Sequence, residues 1–559
     1  MALPVDGGYG GPGNGGPGND GPGSDGPRDW DDEPDLPGGP PPYRGRGDVD
    51  PPLPADGVLR RYGARALDPA AVPVAPGGQP PRSTAYLPGR LLVPADVWLD
   101  FGLRARIEAL AGEQRIALRA GRRSLALAER FAALNDGALV ALLGENPLSV
   151  TVGLRPADVT GPPPDAWALL QALRAAGDVF DGVGLVHLMT SGPHWSGNPH
   201  WSGNPHWSGN PHWSGNPDGY GGSASGRLPV MLPSLAAPVR RPDDAVRRPV
   251  VAVLDTGCGK HPWLPDGIVR RGLEVDAEPV GLTDPATFPE LTGDVTGPLE
   301  GGLDPLAGHG TFIAGIVRQV CPDADLLALR VVSSDGVIVE DDVHDALGAL
   351  ATTVGLWRAG HPDGHPVDVL SLSMGYYHES PKDRVSSVTL WRLLRALGRL
   401  GVAVVASAGN DATVRPAFPA AFSLHSEGDD TRVPLTSVGA LNPDGTRAAF
   451  SNAGTWVRTW APGANVVSTV PVTFDGAENP TVTSTDPDGS VRRTIDPDGY
   501  GGGFGIWSGT SFAGPLVAGR IAGALDTLWR GCEGGPDDRS VETAVATGRT
   551  ARDQALEGP

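Results

Sequence analysis

Lysine and cysteine are scarce in this chain, and long apolar runs are missing altogether. Its only lysines are Lys260 and Lys382, and acidic residues outnumber basic ones 65 to 44, for a net charge of −21. That balance excludes non-specific attraction to nucleic acid or to an anionic membrane surface. Three cysteines in 559 residues are too few for a disulfide-stapled scaffold. No stretch approaches the roughly 18 apolar residues of a transmembrane helix; the best apolar helix, 512–525, is interrupted by Pro515 and Arg520. The opening residues, Met1 to Tyr9, have neither a basic region nor an apolar core of the secretory type. A cytoplasmic location is the expectation, with secretion if translation starts elsewhere.

What is present divides the chain into parts. Residues 1–58 are dominated by Gly, Pro and Asp, bury too little apolar surface to offset ordering entropy, and are expected to be disordered. Residues 84–190 read as a small α+β module. Gly89–Val93, Leu148–Val152 and Val183–Met189 have strand composition, and 165–174 reads as a helix capped by Asp165. Within 191–247, His-Trp-Ser-Gly-Asn-Pro occurs four times in tandem from His194 to Pro217. Gly, Asn and Pro in every copy oppose helix and central strand, so the repeat reads as a semi-stiff spacer. Metal capture by His194, His200, His206 and His212, and stacking of the tryptophans on a partner, are the alternatives. Residues 532–559 read as a polar tail.

From 248 to 531 the texture becomes regular. Apolar runs at 249–254, 326–332, 367–372 and 402–406 suit strands buried on both faces. Val343, Leu347, Leu350, Val354 and Trp357 recur at helical spacing, as do Val388, Trp391, Leu394 and Leu397. Strands alternating with helices predict a parallel α/β sheet flanked by helices, joined by right-handed crossovers. The whole is an α/β domain, its parallel sheet flanked by helices, with a small N-terminal α+β module and disordered Gly/Pro-rich segments.

Three segments of this region carry chemistry. Asp255-Thr-Gly follows the first apolar run, where sites of open α/β sheets form. Gly308-His309-Gly310-Thr311 opens a helix, with glycines leaving room for close backbone. Gly509-Thr510-Ser511 opens another, placing a hydroxyl among free N–H groups at the positive end of a helix dipole. Carboxylate, imidazole and hydroxyl in the order Asp, His, Ser follow the order of subtilisin. Across about 249 to 530 the chain resembles the subtilisin-like serine peptidases.

The resemblance implies a serine endopeptidase acting on peptide or protein substrates through Asp255, His309 and Ser511. It implies further that the Asn410 amide completes an oxyanion hole within Ser407-Ala-Gly-Asn410, and that Ser373, Met374 and Gly375 pair with extended substrate. Members of the family often carry an α+β propeptide, so residues 84–190 are either an intramolecular inhibitor of that kind or an unrelated accessory domain. Self-cleavage within 191–247 would then release the module. The alternative is a peptidase fold kept for binding or scaffolding, which the intact triad positions disfavour. If the fold holds, Cys258 and Cys321 lie near neighbouring strands and are either buried free thiols or a pair. No cofactor is expected. The loop for a tight calcium ion is absent after His309, leaving weak acidic sites open. Two insertions, 266–306 and about 472–503, border the expected cleft; the second holds Arg492, Arg493 and a repeated Asp-Pro-Asp-Gly that predict an exposed hairpin.

Overall fold

The computed structural model describes residues 53–72, 80–133, 143, 145–158, 161, 163–191, 227–232, 236–242, 246–297, 299–380, 389–531 and 537–557. Most of the Gly/Pro-rich segment 1–58, the four repeats with their histidines, and Cys532 lie outside those residues. The chain from 53 onward is organised around a seven-stranded sheet. Its strands lie side by side in the order Thr459–Pro462, Thr436–Leu441, Ala403–Ser407, Val369–Leu372, Val250–Asp255, Asp325–Arg330 and Val269–Arg271. Every neighbouring pair is parallel.

The apolar runs become strands because both faces of this sheet are covered. Side chains alternate across a strand. Val251 and Val253 therefore pack into one apolar cluster with the helices His309–Val320 and Thr510–Gly531. Ala252 and Leu254 face the other way, into a cluster shared with the helices Glu340–Arg358 and Thr389–Arg399. The helical stripes read from sequence are core in both cases. Among the described residues no helix is long and apolar enough to cross a membrane.

The N-terminal module is a second sheet, in the order Gly184–Thr190, Thr84–Pro94, Ser149–Pro156 and Ile116–Ala120, all antiparallel. The helix Ala166–Ala176 is capped as expected, the Asp165 carboxylate accepting from the Trp167 N–H at 3.0 Å. The module's sheet does not end at Gly184–Thr190. Val337–Val339, from the catalytic part of the chain, pairs antiparallel with that strand and extends it.

Three boundaries differ from the sequence reading. The module begins before residue 84: the helix Asp56–Tyr62 and the strand Arg65–Leu67, which pairs with Thr84–Pro94, belong to it. The segment 191–247 is not a linker throughout. Leu228–Pro229 pairs with Phe504–Trp507, and Arg241 bonds to Asp323 and Asp526, each at 2.6 Å. Nor is 532–559 a tail. Val541–Glu557 is a helix that buries Val545, Ala551 and Ala555 against the body, small residues at turn spacing whose apolar signal is weak in a sequence. The expected hairpin is present, Thr483–Thr485 against Val491–Arg493, and fully exposed.

Candidate active site

Asp255 is the last residue of the central strand Val250–Asp255, and His309 the first of the helix His309–Val320. The sheet edge and the helix start meet because residue 310 is glycine: a Cβ there would lie 2.1 Å from the Gly257 carbonyl oxygen. Both functional side chains are buried, and His309 Nδ1 lies 2.7 Å from Asp255 Oδ1. The same carboxylate oxygen accepts from the Thr256 N–H at 2.8 Å. Held by this backbone donor as well as by the ring, the carboxylate keeps facing the imidazole, which is fixed with its Nδ1 proton toward Asp255. Trp507 stands edge-on to the imidazole at 5.4 Å, and Phe512, next to Ser511, packs on it at 5.3 Å.

Ser511 lies in the first turn of Thr510–Gly531. The helix starts early enough that Pro515 falls beyond its first turn. Lacking an N–H, Pro515 leaves the Ser511 carbonyl without its intrahelical donor. The Ser373 hydroxyl fills that place, donating to Ser511 O at 3.0 Å, and so ties the nucleophile turn to the cleft edge. Asn410 faces the same turn: its Oδ1 accepts from the Thr510 N–H at 2.8 Å, which leaves the amide NH2 as the donor end. Its loop is braced by a residue that sequence reading passed over. Asn452 accepts from the Asp411 and Thr413 N–H groups and donates to Ala408 O and to the Tyr377 hydroxyl.

One cleft is lined by Ser373, Met374, Gly375, Asn410, Thr510 and Ser511. The sequence-predicted residues thus fall into two groups. Asp255 and His309 are directly bonded, and the other five share the cleft; the Phe512 ring joins the groups. Residues 247–530 match the model of the subtilase family. The chain belongs to the subtilase family. Among curated relatives, it is 28% identical over 289 residues to the intracellular serine protease of Paenibacillus polymyxa, spanning 49% of this chain and 65% of that one. It is 31% identical to subtilisin BL of Lederbergia lenta, over 40% of this chain and 66% of that one. Mycosin-4 of Mycobacterium tuberculosis is 28% identical over 49% of this chain and 54% of its own. The match spans less than two-thirds of each relative's length.

This subtilase carries a buried carboxylate behind the Asp255–His309 pair that no motif announced. Glu290, within the insertion 266–306, accepts from the hydroxyls of Thr256 and Thr311, the latter at 2.5 Å, and from the Gly310 N–H at 3.2 Å. It thereby clamps the residues following Asp255 and His309 to each other. Burial, with the Asp255 charge added, pushes its carboxyl up to about 7, against the two hydroxyl donors. Glu290→Ala, which removes the shared acceptor of Thr256, Thr311 and Gly310, is expected to lower Tm and kcat/KM together. An unchanged Tm would show that the clamp carries no stability. Cys258 and Cys321 are free and buried, and burial pushes Cys258 up to about 12 and Cys321 to about 11, so both are inert thiols.

The cleft is not empty of protein. Thr190, the last residue of the module's strand, exchanges both backbone hydrogen bonds with Gly375, at 2.9 and 2.8 Å. Ser191 continues inward: its N–H donates to Gly336 O at 2.9 Å, its hydroxyl to Ser373 O at 2.6 Å and, more weakly, to Asp255 Oδ2 at 3.4 Å. The module's strand is thus inserted between Val337–Val339 and the Ser373–Gly375 edge.

Proposed function

We propose that this subtilase is a serine endopeptidase acting on peptide and protein substrates, held latent in the full chain by its N-terminal module. The observation that carries the reading is the single cleft in which Ser511, at a helix start, lies with Asn410 and an extended binding edge, beside the Asp255–His309 pair. Substrate pairs with Ser373-Met374-Gly375 by strand addition, as Thr190 does at Gly375. His309 Nε2 takes the Ser511 hydroxyl proton while Oγ bonds to the peptide carbonyl carbon. The oxyanion is met by the Asn410 amide and the Ser511 N–H. The proton passes to the leaving amine as the C–N bond breaks, and His309 then activates water to release the acyl group. Asp255 holds the imidazole tautomer and stabilises the imidazolium.

Asn410→Ala is expected to lower kcat by about 10²–10³, the magnitude known for the matching donor of subtilisin, with KM little changed. A loss shared equally with Asn452→Ala, accompanied by lower stability, would instead point to collapse of the loop.

Latency is supported by the occupied edge and by the interface beneath it. His187 of the module lies between two carboxylates of the catalytic part, Glu340 at 2.6 Å and Glu379 at 3.0 Å, all three buried. Arg174 adds a bond to Glu379 at 2.9 Å, and Arg90 to Asp341 at 2.7 Å. Self-cleavage within 191–247 would free the module's end from the cleft.

A fluorophosphonate probe with intact-mass readout tests the reading. The expected result is slow labelling of the intact wild type, fast labelling once the module is gone, and none in Ser511→Ala. Loss of the N-terminal part from wild type alone would establish self-processing. An unlabelled chain after removal of the module would overturn the reading.

A further inference from the structure

Between the strands Val466–Thr469 and Phe504–Trp507 the chain makes a long excursion, residues 470–503. Its outer end is the exposed hairpin. Its base brings together Asp475, Asp496 and Asp498, with one carboxylate oxygen of each within 4.8 Å of the others. Asp498 is only 4% exposed. Its Oδ2 accepts from the Glu478 N–H at 2.7 Å, but its Oδ1 is buried with no hydrogen-bond partner, and so is Oδ1 of Asp496. Burying an unpartnered carboxylate oxygen is costly, and the cost grows when the facing groups carry the same charge. Here they do: the carboxylates of Asp475 and Asp496 face that of Asp498. Three carboxylates brought this close, two of them with a buried oxygen that has no partner, are suited to holding a positive ion.

The donor set selects the kind of ion. Only carboxylate oxygens converge, with neither nitrogen nor sulfur, which suits a hard divalent cation. The spread of the oxygens and their attachment to two separate chain segments suit the larger and more flexible coordination sphere of calcium over the strict octahedron of magnesium. The backbone is adapted to the approach: a Cβ at Gly476 would stand 2.1 Å from Asp498 Oδ2, so any other residue there would displace that carboxylate.

The place of the cluster gives it a consequence. Phe474, adjacent to Asp475, packs so closely on the turn before the catalytic helix that a Cβ at Gly308 would lie 3.0 Å from its ring. Gly308 caps the helix that begins with His309. Tyr500, two residues after Asp498, donates its N–H to Phe474 O at 2.9 Å and shares an apolar cluster with Trp507 and Phe512, the rings flanking His309. We propose that Asp475, Asp496 and Asp498, with Glu478 at the rim, form a calcium site that ties both ends of the excursion together and braces the helix carrying His309.

Binding is read independently of peptidase activity, on the full chain stripped of metal with EGTA. Calorimetric titration with CaCl2 at pH 7.5 is expected to show one more equivalent in wild type than in Asp498→Asn. The variant Asp475→Asn, altered at an exposed position, guards against a folding defect at the buried one. Calcium at saturation is expected to raise the wild-type Tm by at least about 3 °C and to leave both variants nearly unmoved. Equal stoichiometry in wild type and both variants would overturn the site. So would a wild type that binds nothing at millimolar calcium while Asp498→Asn is the more stable protein, the signature of a shared proton in place of a cation.

Discussion

Replacing Ser511 with alanine is expected to lower kcat by about 10⁶ on a peptide substrate, the loss that removal of the nucleophile causes in subtilisin. The size follows from the division of labour in the cleft. In the proposed mechanism His309 and Asp255 act only through the Ser511 hydroxyl, so removing it leaves them nothing to activate. Asn410 and the helix-start N–H groups still stabilise an oxyanion formed by attacking water, which sets the residual rate. The substitution removes one oxygen from a helix start whose own hydrogen bonds run through backbone: Ser373 to Ser511 O and Thr510 N–H to Asn410 Oδ1. Tm should therefore change little. The comparison has to be made with the module removed, because in the intact chain Thr190 and Ser191 occupy the substrate edge in wild type and variant alike. A residual activity within tenfold of wild type would mean that another nucleophile, or directly activated water, does the chemistry.

The α/β sheet was legible because strands buried on both faces leave continuous apolar runs, and the core of the site because Asp255, His309 and Ser511 each sit where an element begins or ends. Glu290 was not legible. It lies in an insertion without periodicity, and its meaning depends on Thr256 and Thr311, 34 and 21 positions away. The interface cluster was hidden for the same reason: His187 and Glu340 are 153 positions apart, and each alone reads as an ordinary polar residue on an apolar element. The mistaken boundaries share a different cause. Leu228–Pro229 and Val541–Glu557 are short or small-residue segments whose burial is decided by the body they dock on, not by their own pattern.

The intact chain is expected to gain activity as pH rises through about 9, and His187→Gln is expected to gain it already at pH 7.5. Burial opposes a charged His187, yet Glu340 and Glu379 more than offset it and hold the imidazole at about 9. Both glutamates are held well below the usual carboxylate range by the same contacts, Glu379 also by Arg174. A histidine raised on docking stabilises the docked module fully below its free value of about 6.5. That contribution declines above it and is gone once pH passes the docked value. At pH 7.5 the cation is still in place, and docking keeps most of its hold. Replacing His187 with glutamine strips the cation from two buried carboxylates, and breaking a buried pair in this way costs about 3–5 kcal/mol. If latency is the docked fraction, the open population, and with it peptidase activity, rises by roughly 10²–10⁴ until the chain is fully open. The remaining groups around the imidazole sharpen the test. His378 is held down at about 4 by burial and stays neutral throughout, and burial holds the Tyr376 phenol, stacked on the imidazole, well above its ordinary value, so neither ring packed on His187 titrates between pH 7 and 9. The trimmed enzyme, lacking the interface, should show no such rise beyond its own catalytic profile. Equal activities of wild type and His187→Gln from pH 7 to 10 would place the restraint elsewhere, in the backbone pairing of Thr190 with Gly375.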